Sequence, residues 1–238
     1  MDKQRNVPGR LYDQTLGNIL PSERLLAVLF CVMLNSLVYW GGQIIAGSWH
    51  HWDMTTALDQ RIPVVPAWSF IYVGAFAFWV VGYVLMARGE NWYRIMTAEV
   101  LAKLICGVCF LVLPTTNVRP ELPGSDLGSA LLRLIYSMDA ATNLFPSIHC
   151  LESWICFAGI RSRRDIPLWY RVFSGIFAVL VCISTLTTYQ HVIADVVSGV
   201  LLAEVLVDIA CWRGFGRRLG RWFAALDGML FGKAAVED

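Results

Sequence analysis

An all-α bundle of six transmembrane helices is the fold class this sequence predicts, and three observations predict it. Apolar residues make up 57% of the chain and charged residues 16%, at a mean hydropathy of +0.56, whereas soluble domains carry roughly 25% charge. Too little charge remains to solvate a globule of this size, so lipid is the solvent. Six apolar runs recur along the chain, most close to the roughly 20 residues with which a helix spans a bilayer. Six such helices and their connections use up the 238 residues, leaving no separate soluble domain. The net charge of +1 argues against nucleic acid as a partner, because a phosphate-binding surface needs a clustered basic excess.

Taken in order, residues 1–24 are mixed and charged, with no small-residue cleavage site in the apolar run that follows, and read as a retained cytoplasmic segment. The apolar runs are Leu25–Gly47, Val64–Ala87, Ile95–Pro114, Ser147–Ile160, Leu168–Thr188 and His191–Trp212. Residues 25–212 thus form one membrane domain that carries any chemistry. The fourth run is the shortest, which predicts a start recessed within the protein, where irregular backbone is tolerated beside a cavity. The longest connection, 115–146, holds an amphipathic stretch, Leu127–Tyr136, suited to lying along the membrane surface. Residues 213–238 mix Arg with aromatic and aliphatic side chains, as in Arg217-Arg218-Leu219-Gly220-Arg221-Trp222-Phe223, and read as a basic amphipathic tail anchored to anionic lipid.

Orientation follows from the cations. Of 19 Lys and Arg, fifteen fall with the termini and the even-numbered connections; Arg61, Arg119 and Arg133 lie on the other side, and Lys103 within the third run. The positive-inside rule then predicts that both termini are cytoplasmic. All four histidines, His50, His51, His149 and His191, fall on the extracytoplasmic side, so the chemistry faces away from the cytoplasm. The seven cysteines lie mostly inside apolar runs and read as small buried hydrophobes. Cys106 and Cys109 have no second pair, so no disulfide framework, metal or cofactor is expected.

Three features have chemical potential. His191 and Asp195 are four residues apart at the outer end of the sixth run, so a helix there sets them on one face. A carboxylate so placed fixes an imidazole tautomer and stabilises its positive charge, although a polar pair tying two helices together has the same pattern. His149 follows Pro146-Ser147-Ile148 where the long loop enters the fourth helix; such a helix start presents free amides and a positive dipole end to an anion, and a His there protonates a leaving oxygen, or is simply an interfacial His beside a cap. Arg119, in Thr115-Thr-Asn-Val-Arg-Pro120, offers a planar fork for bidentate phosphate, or a lipid-headgroup contact. Glu99 and Lys103, four apart, read as an ion pair within the third helix; Glu152 either orients His149, binds an acceptor hydroxyl or makes a structural contact. An Arg, a helix start with a His and a His/Asp pair on one face of the membrane suit phosphoryl transfer through a phosphohistidine.

On these residues the chain resembles the type 2 phosphatidic acid phosphatase superfamily. That family's Pro-Ser-Gly-His motif is similar to Pro146-Ser147-Ile148-His149. Its Ser-Arg, five residues, His, three residues, Asp motif is similar to Ser184-Thr185 with His191 and Asp195 at the same spacing, and its Lys, six residues, Arg-Pro motif keeps only Arg119-Pro120. The first-motif Lys position is Val112, the third-motif Arg position Thr185 and the second-motif Gly Ile148. Two phosphate-binding cations are therefore absent, which points to a singly charged diester rather than a monoester of nearly two charges. The departures look like the inositol phosphorylceramide synthase branch, as do Asp139, Asn143 and Phe145 before the second motif, Gln190 before His191, and Asp59-Gln-Arg-Ile62-Pro63 with Tyr72. The resemblance implies a six-helix catalytic core in which His191 is the nucleophile, Asp195 its orienter and His149 the acid and base. It also implies that Arg119 with the Ser147 and Ile148 amides holds phosphate, and that Asp139, Asn143, Glu152 and Gln190 serve an acceptor or support the site.

The expected function is an integral membrane enzyme acting on a lipid-linked phosphate. Water as acceptor makes it a phosphatase and an alcohol makes it a phosphotransferase; a non-enzymatic lipid carrier with a His/Asp proton relay is the reading from another class, against which stands the lack of a paired broken-helix repeat. Oligomeric state leaves no trace in the sequence.

Overall fold

In the computed structural model, residues 5–212 and 215–232 are described, with the side chains of Cys211, Trp212 and Phe215 excepted. Residues 1–4, 213–214 and 233–238, with Lys3, Arg213 and Lys233, lie outside the described residues. The described chain is built of helices: α1 (Val7–Thr15), α2 (Ser22–Ala46), α3 (Ser69–Ala87), α4 (Trp92–Val112), α5 (Leu127–Met138), α6 (Ile148–Ile160), α7 (Leu168–Thr187), α8 (Ile193–Trp212) and α9 (Phe215–Leu230). Four of them, α2, α3 with its preceding turn, α4 and α7, are long and apolar enough to cross a membrane. α6 has thirteen residues, and α8 has twenty but carries Asp195, Glu204 and Asp208.

Most helix starts are written in the sequence. Asn6 caps α1 by accepting from the Gly9 amide, Asp126 caps α5 by accepting from Ser129, and Ser147 caps α6 by accepting from Cys150, each satisfying an amide that has no intrahelical partner. Pro21 and Pro167 precede α2 and α7, where a missing N–H does no harm. The six membrane helices start and stop within five residues of the apolar runs, and one small shift is consequential. α8 begins at Ile193, not at His191, so the nucleophile candidate stands in the turn ahead of the helix.

α4 and α6 form the middle of the bundle. α4 packs on α2, α8 and α9, and α6 packs on α3, α7 and α8. The shared core includes Met86, Trp92, Met96, Phe110, Leu151 and Ile155, all essentially inaccessible. α2 and α7 instead turn Leu37, Ile44, Trp169 and Ile176 outward, an apolar surface that only lipid solvates without penalty. The tail that the sequence reads as a lipid anchor forms α9, which lies across α4 and α2 with Phe223 buried between Phe30 and Tyr93. Its end is tied to α1: the Asn6 amide donates to the Phe231 carbonyl at 2.9 Å, and Arg5 pairs with Asp227 at 3.0 Å.

At the opposite end, irregular segments are stitched together. Trp52-Asp53 (β1) pairs in parallel with Thr115-Thr116 (β2), and Thr116 bridges to Thr142. The Leu144 and Phe145 amides both donate to Thr115 Oγ1, at 3.1 and 3.0 Å. These ties fix the path of the long connection as it enters α6.

Candidate active site

α6 and α8 meet head to head at the site. Ser147 Oγ caps α6, while the Ser147 amide donates to the Asp195 carbonyl at 3.0 Å. That amide is consequently committed to the protein and withdrawn from the phosphate-binding role expected of it; the Ile148 amide, first in the helix, is not. His149 follows in the first turn. Its ring stacks on Tyr72, centroids 4.2 Å apart and planes 20° apart, and is walled by Trp79 and Phe76 at 5.1 and 5.8 Å. His149 Nε2 is buried without a partner.

His191 is held by the turn after α7. Tyr189 adopts φ 51°, a left-handed conformation that is uncommon for a bulky residue and survives only where its surroundings enforce it. They do so here: the Gln190 and His191 amides both donate to the Thr185 carbonyl, Tyr189 Oη donates to the Ile62 carbonyl, Asn117 Nδ2 donates to the Tyr189 carbonyl, and Tyr136 Oη donates to the Thr188 carbonyl. Although His191 precedes the helix, Asp195 still reaches it. Asp195 Oδ2 lies 3.4 Å from His191 Nδ1 and accepts from the Val192 amide at 3.0 Å. The carboxylate therefore accepts from the backbone ahead of α8 and faces the imidazole Nδ1 at once, leaving Nε2 on the ring's other side.

The turn is also clamped from the α2–α3 connection. Asp59, buried, accepts from the Ile193 amide through Oδ1 at 2.8 Å and from the Thr56 amide through Oδ2 at 2.8 Å. Burial works to raise the Asp59 pKa, but these hydrogen bonds outweigh it and hold the carboxyl below its ordinary value.

His149 and His191 face each other with centroids 6.4 Å apart, and both line a cavity of about 520 Å³ enclosed by α2, α3 and α5. Gln190, Asp139 and Asn143 line it too; its walls are otherwise mainly apolar, with Phe76, Leu134 and Met138 among them. Among the described residues lining this cavity there is no Lys or Arg. Arg119 sits behind Gln190: its guanidinium donates to Gln190 Oε1 at 2.8 Å and to the Tyr136 and Asp139 carbonyls, and lies 4.6 Å over the Tyr136 ring. It reaches the cavity through Gln190 rather than directly.

The other expectations divide. Glu152 does not line the cavity but joins Lys103, which also pairs with Glu99 at 3.7 Å; Tyr83 Oη bonds both carboxylates. Val112 is 77% exposed on the outside of α4, and Thr185 is buried against Cys150, so neither position brings a replacement cation. The Tyr72–Phe76–Trp79 wall was missed as a feature, though its i, i+4, i+7 spacing marks one face of a helix. Tyr39, whose hydroxyl donates to Asp139, carried no such signal.

A sequence model of the PAP2 superfamily matches residues 47–209. The chain belongs to the PAP2 superfamily. Both histidines, Asp195, Arg119 and the α7–α8 turn lie within the matched span. No match to the chain is found among curated proteins or among solved structures. PAP2 membership, together with four helices apt to cross a membrane, makes this a multi-pass membrane protein of a superfamily of phosphatases and phosphoesterases for lipid-like substrates.

Proposed function

We propose that the protein cleaves a lipid-linked phosphate ester through a phosphohistidine at His191. His191 Nε2 attacks phosphorus, a P–N bond forms as the P–O bond to the leaving alcohol breaks, and His149 gives that oxygen its proton. In the second half His149 takes a proton from the incoming hydroxyl, whose oxygen displaces His191 from phosphorus. Asp195 fixes the His191 tautomer throughout. The observation that carries this reading is the facing of the two imidazoles across one cavity with a carboxylate behind the nucleophile.

The absence of a lining cation among the described residues favours a diester as substrate. Its single charge is met by the Ile148 amide at the positive end of α6 and by Gln190 Nε2, which is buried without a partner. Arg119 supports this by polarising Gln190. A second reading, phosphotransfer to an alcohol, is favoured by a specific feature. Asn143 Nδ2 donates to the Tyr39 carbonyl at 3.0 Å, which leaves Asn143 Oδ1, like Asn35 Oδ1 on the same cavity, buried and unpaired; such acceptors want a hydroxyl, not a phosphate.

For topology we count six crossings, α2, α3, α4, α6, α7 and α8, with both termini cytoplasmic and the site extracytoplasmic. The ends of α4 and α7 lie at the site while α1 and α9 lie at the far end, so α6 and α8 must carry the chain back across. α6 spans about 20 Å at 1.5 Å per residue, and the recessed loop before it supplies the remaining depth.

The test uses purified protein in detergent with chelator present, wild type and His191→Ala. Phosphate release from phosphatidic acid is followed beside headgroup exchange from phosphatidylinositol to diacylglycerol or ceramide. Release lost in the variant makes the protein a phosphatase, exchange lost in it a phosphotransferase. Turnover unaffected in a folded His191→Ala protein removes His191 as nucleophile, and inactivity of folded wild type on both assays favours the carrier.

A further inference from the structure

A second cavity, about 540 Å³, lies at the other end of α4, between the first turns of α4 and α9, and is lined by Glu90, Tyr93, Arg94, Arg217 and Arg221 with two glycines. The glycines explain its shape. A Cβ on Gly216 would lie 3.0 Å from the Arg94 backbone nitrogen, and one on Gly220 2.8 Å from the Tyr93 ring. Only residues without side chains let α9 press this closely onto α4. With Gly216 and Gly220 against α4, the next positions, Arg217 and Arg221, fall one turn apart on the flank that faces the cavity, opposite Arg94.

Among the described residues the three guanidiniums share no carboxylate. Arg217 and Arg221 form no ion pair or hydrogen bond with the described residues, and Arg94 donates only to Asn91 Oδ1. Arg94 Nε and Tyr93 Oη are buried without partners. Glu90 is the one acid among the described residues of the lining. The N-terminus of α4, a helix of twenty-one residues, adds its positive end at the same place. Three guanidiniums with no carboxylate partner among the described residues, unsatisfied donors and a helix start around one cavity are matched by a multi-oxygen anion.

We propose that this cavity is a binding site for a phosphate-bearing anion, held at the level of the lipid headgroups. The level follows from α4, a membrane-crossing candidate whose first turn forms the floor. The site lies a whole helix length from His191, so it is separate from the catalytic cavity and stands whether or not the catalytic reading does. The shared chemistry is a phosphate group; an anionic lipid or a soluble phosphate supplies it.

Binding is measured on the full chain in phosphatidylcholine nanodiscs, with and without phosphatidylglycerol, and with inorganic phosphate added to the neutral discs. The readout is the shift in thermal unfolding midpoint as the anion is titrated, for wild type, R217Q/R221Q and R217K/R221K. Because the catalytic cavity also takes phosphate, the titration is repeated in a His191→Ala background. The expected result is a saturable shift whose half-point moves to about tenfold or more higher anion in R217Q/R221Q, largely kept in R217K/R221K and indifferent to His191→Ala. A response to phosphatidylglycerol alone assigns the site to lipid, and a response to inorganic phosphate assigns it to a soluble ligand. No saturable shift in wild type, or an unchanged half-point in R217Q/R221Q, overturns the proposal. If R217Q/R221Q unfolds in neutral discs, the lysine variant decides: a charge-retaining protein that fails to respond is equally fatal.

Discussion

His149 sits among three aromatic rings with Nε2 unpaired, which is where a proton donor to a leaving oxygen belongs. Replacing it by Ala should lower turnover on a natural lipid by about 10² to 10⁴, and the loss should shrink severalfold on a p-nitrophenyl ester, whose leaving group needs no proton. Equal losses on both substrates would deny His149 the acid role. Asp59 belongs to the same scale but acts on folding. Its folded pKa is depressed, so the stability it confers is present above the unfolded-state aspartate pKa of about 3.9 and is lost as pH falls through the lower folded value. Asp59→Asn should therefore destabilise by about 1 kcal/mol, the worth of a helix cap, equally at pH 7 and pH 5. The gap to wild type should close only below about pH 4, as read from unfolding midpoints. A gap already closing at pH 5 to 6 would contradict the hydrogen bonds from Ile193 and Thr56.

At the scale of elements, the site depends on how closely α8 approaches the start of α6. Gly199 is the point of contact, because a Cβ there would lie 2.6 Å from the Ser147 carbonyl oxygen, a backbone atom that cannot swing away. Gly199→Ala should force the helices apart just where Ser147 bonds Asp195, lowering stability by about 1 to 3 kcal/mol and turnover by tenfold or more. Full activity in that variant would mean that the head-to-head contact does not set the catalytic geometry. The sequence makes the helices legible, and with them the pairing of His191 with Asp195, because apolar periodicity and short spacings are local. It misplaces His191 within a helix, since Tyr189 turns left-handed only under contacts from Ile62, Asn117 and Tyr136, which are distant in sequence. It pairs Lys103 with Glu99 by helical spacing, yet cannot see Glu152 from another helix. It takes Arg119 for a phosphate ligand because nothing local shows that Gln190 and the Asp139 and Tyr136 carbonyls already occupy its fork.

Across the whole molecule, two devices hold the bundle together at different depths. Near its middle, Lys103 of α4 joins Glu152 of α6 and Glu99, with Tyr83 of α3 bonding both acids. Lys103→Met strands two buried carboxylates and should destabilise by about 3 to 5 kcal/mol, whereas Lys103→Met with Glu99→Gln and Glu152→Gln should recover much of that. At the end far from the site, α1 and α9 are tied together through Asn6–Phe231 and Arg5–Asp227, and if both lie on one side of the membrane, as in the proposed topology, the number of crossings is even. Four spans by length alone would also be even, but α4 ends beside β1 near the site, and α7 ends there too, where the Val65 amide donates to the Thr187 carbonyl. α7 can start at the far end only if α6 descends first. Ser125 of the long connection and Arg164 between α6 and α7, both exposed, should then lie on opposite faces. In intact cells, Ser125→Cys should react with a membrane-impermeant maleimide, and Arg164→Cys only after permeabilisation. If both react from the same side, α6 does not cross, and the start of α7 must lie at the level of the active site.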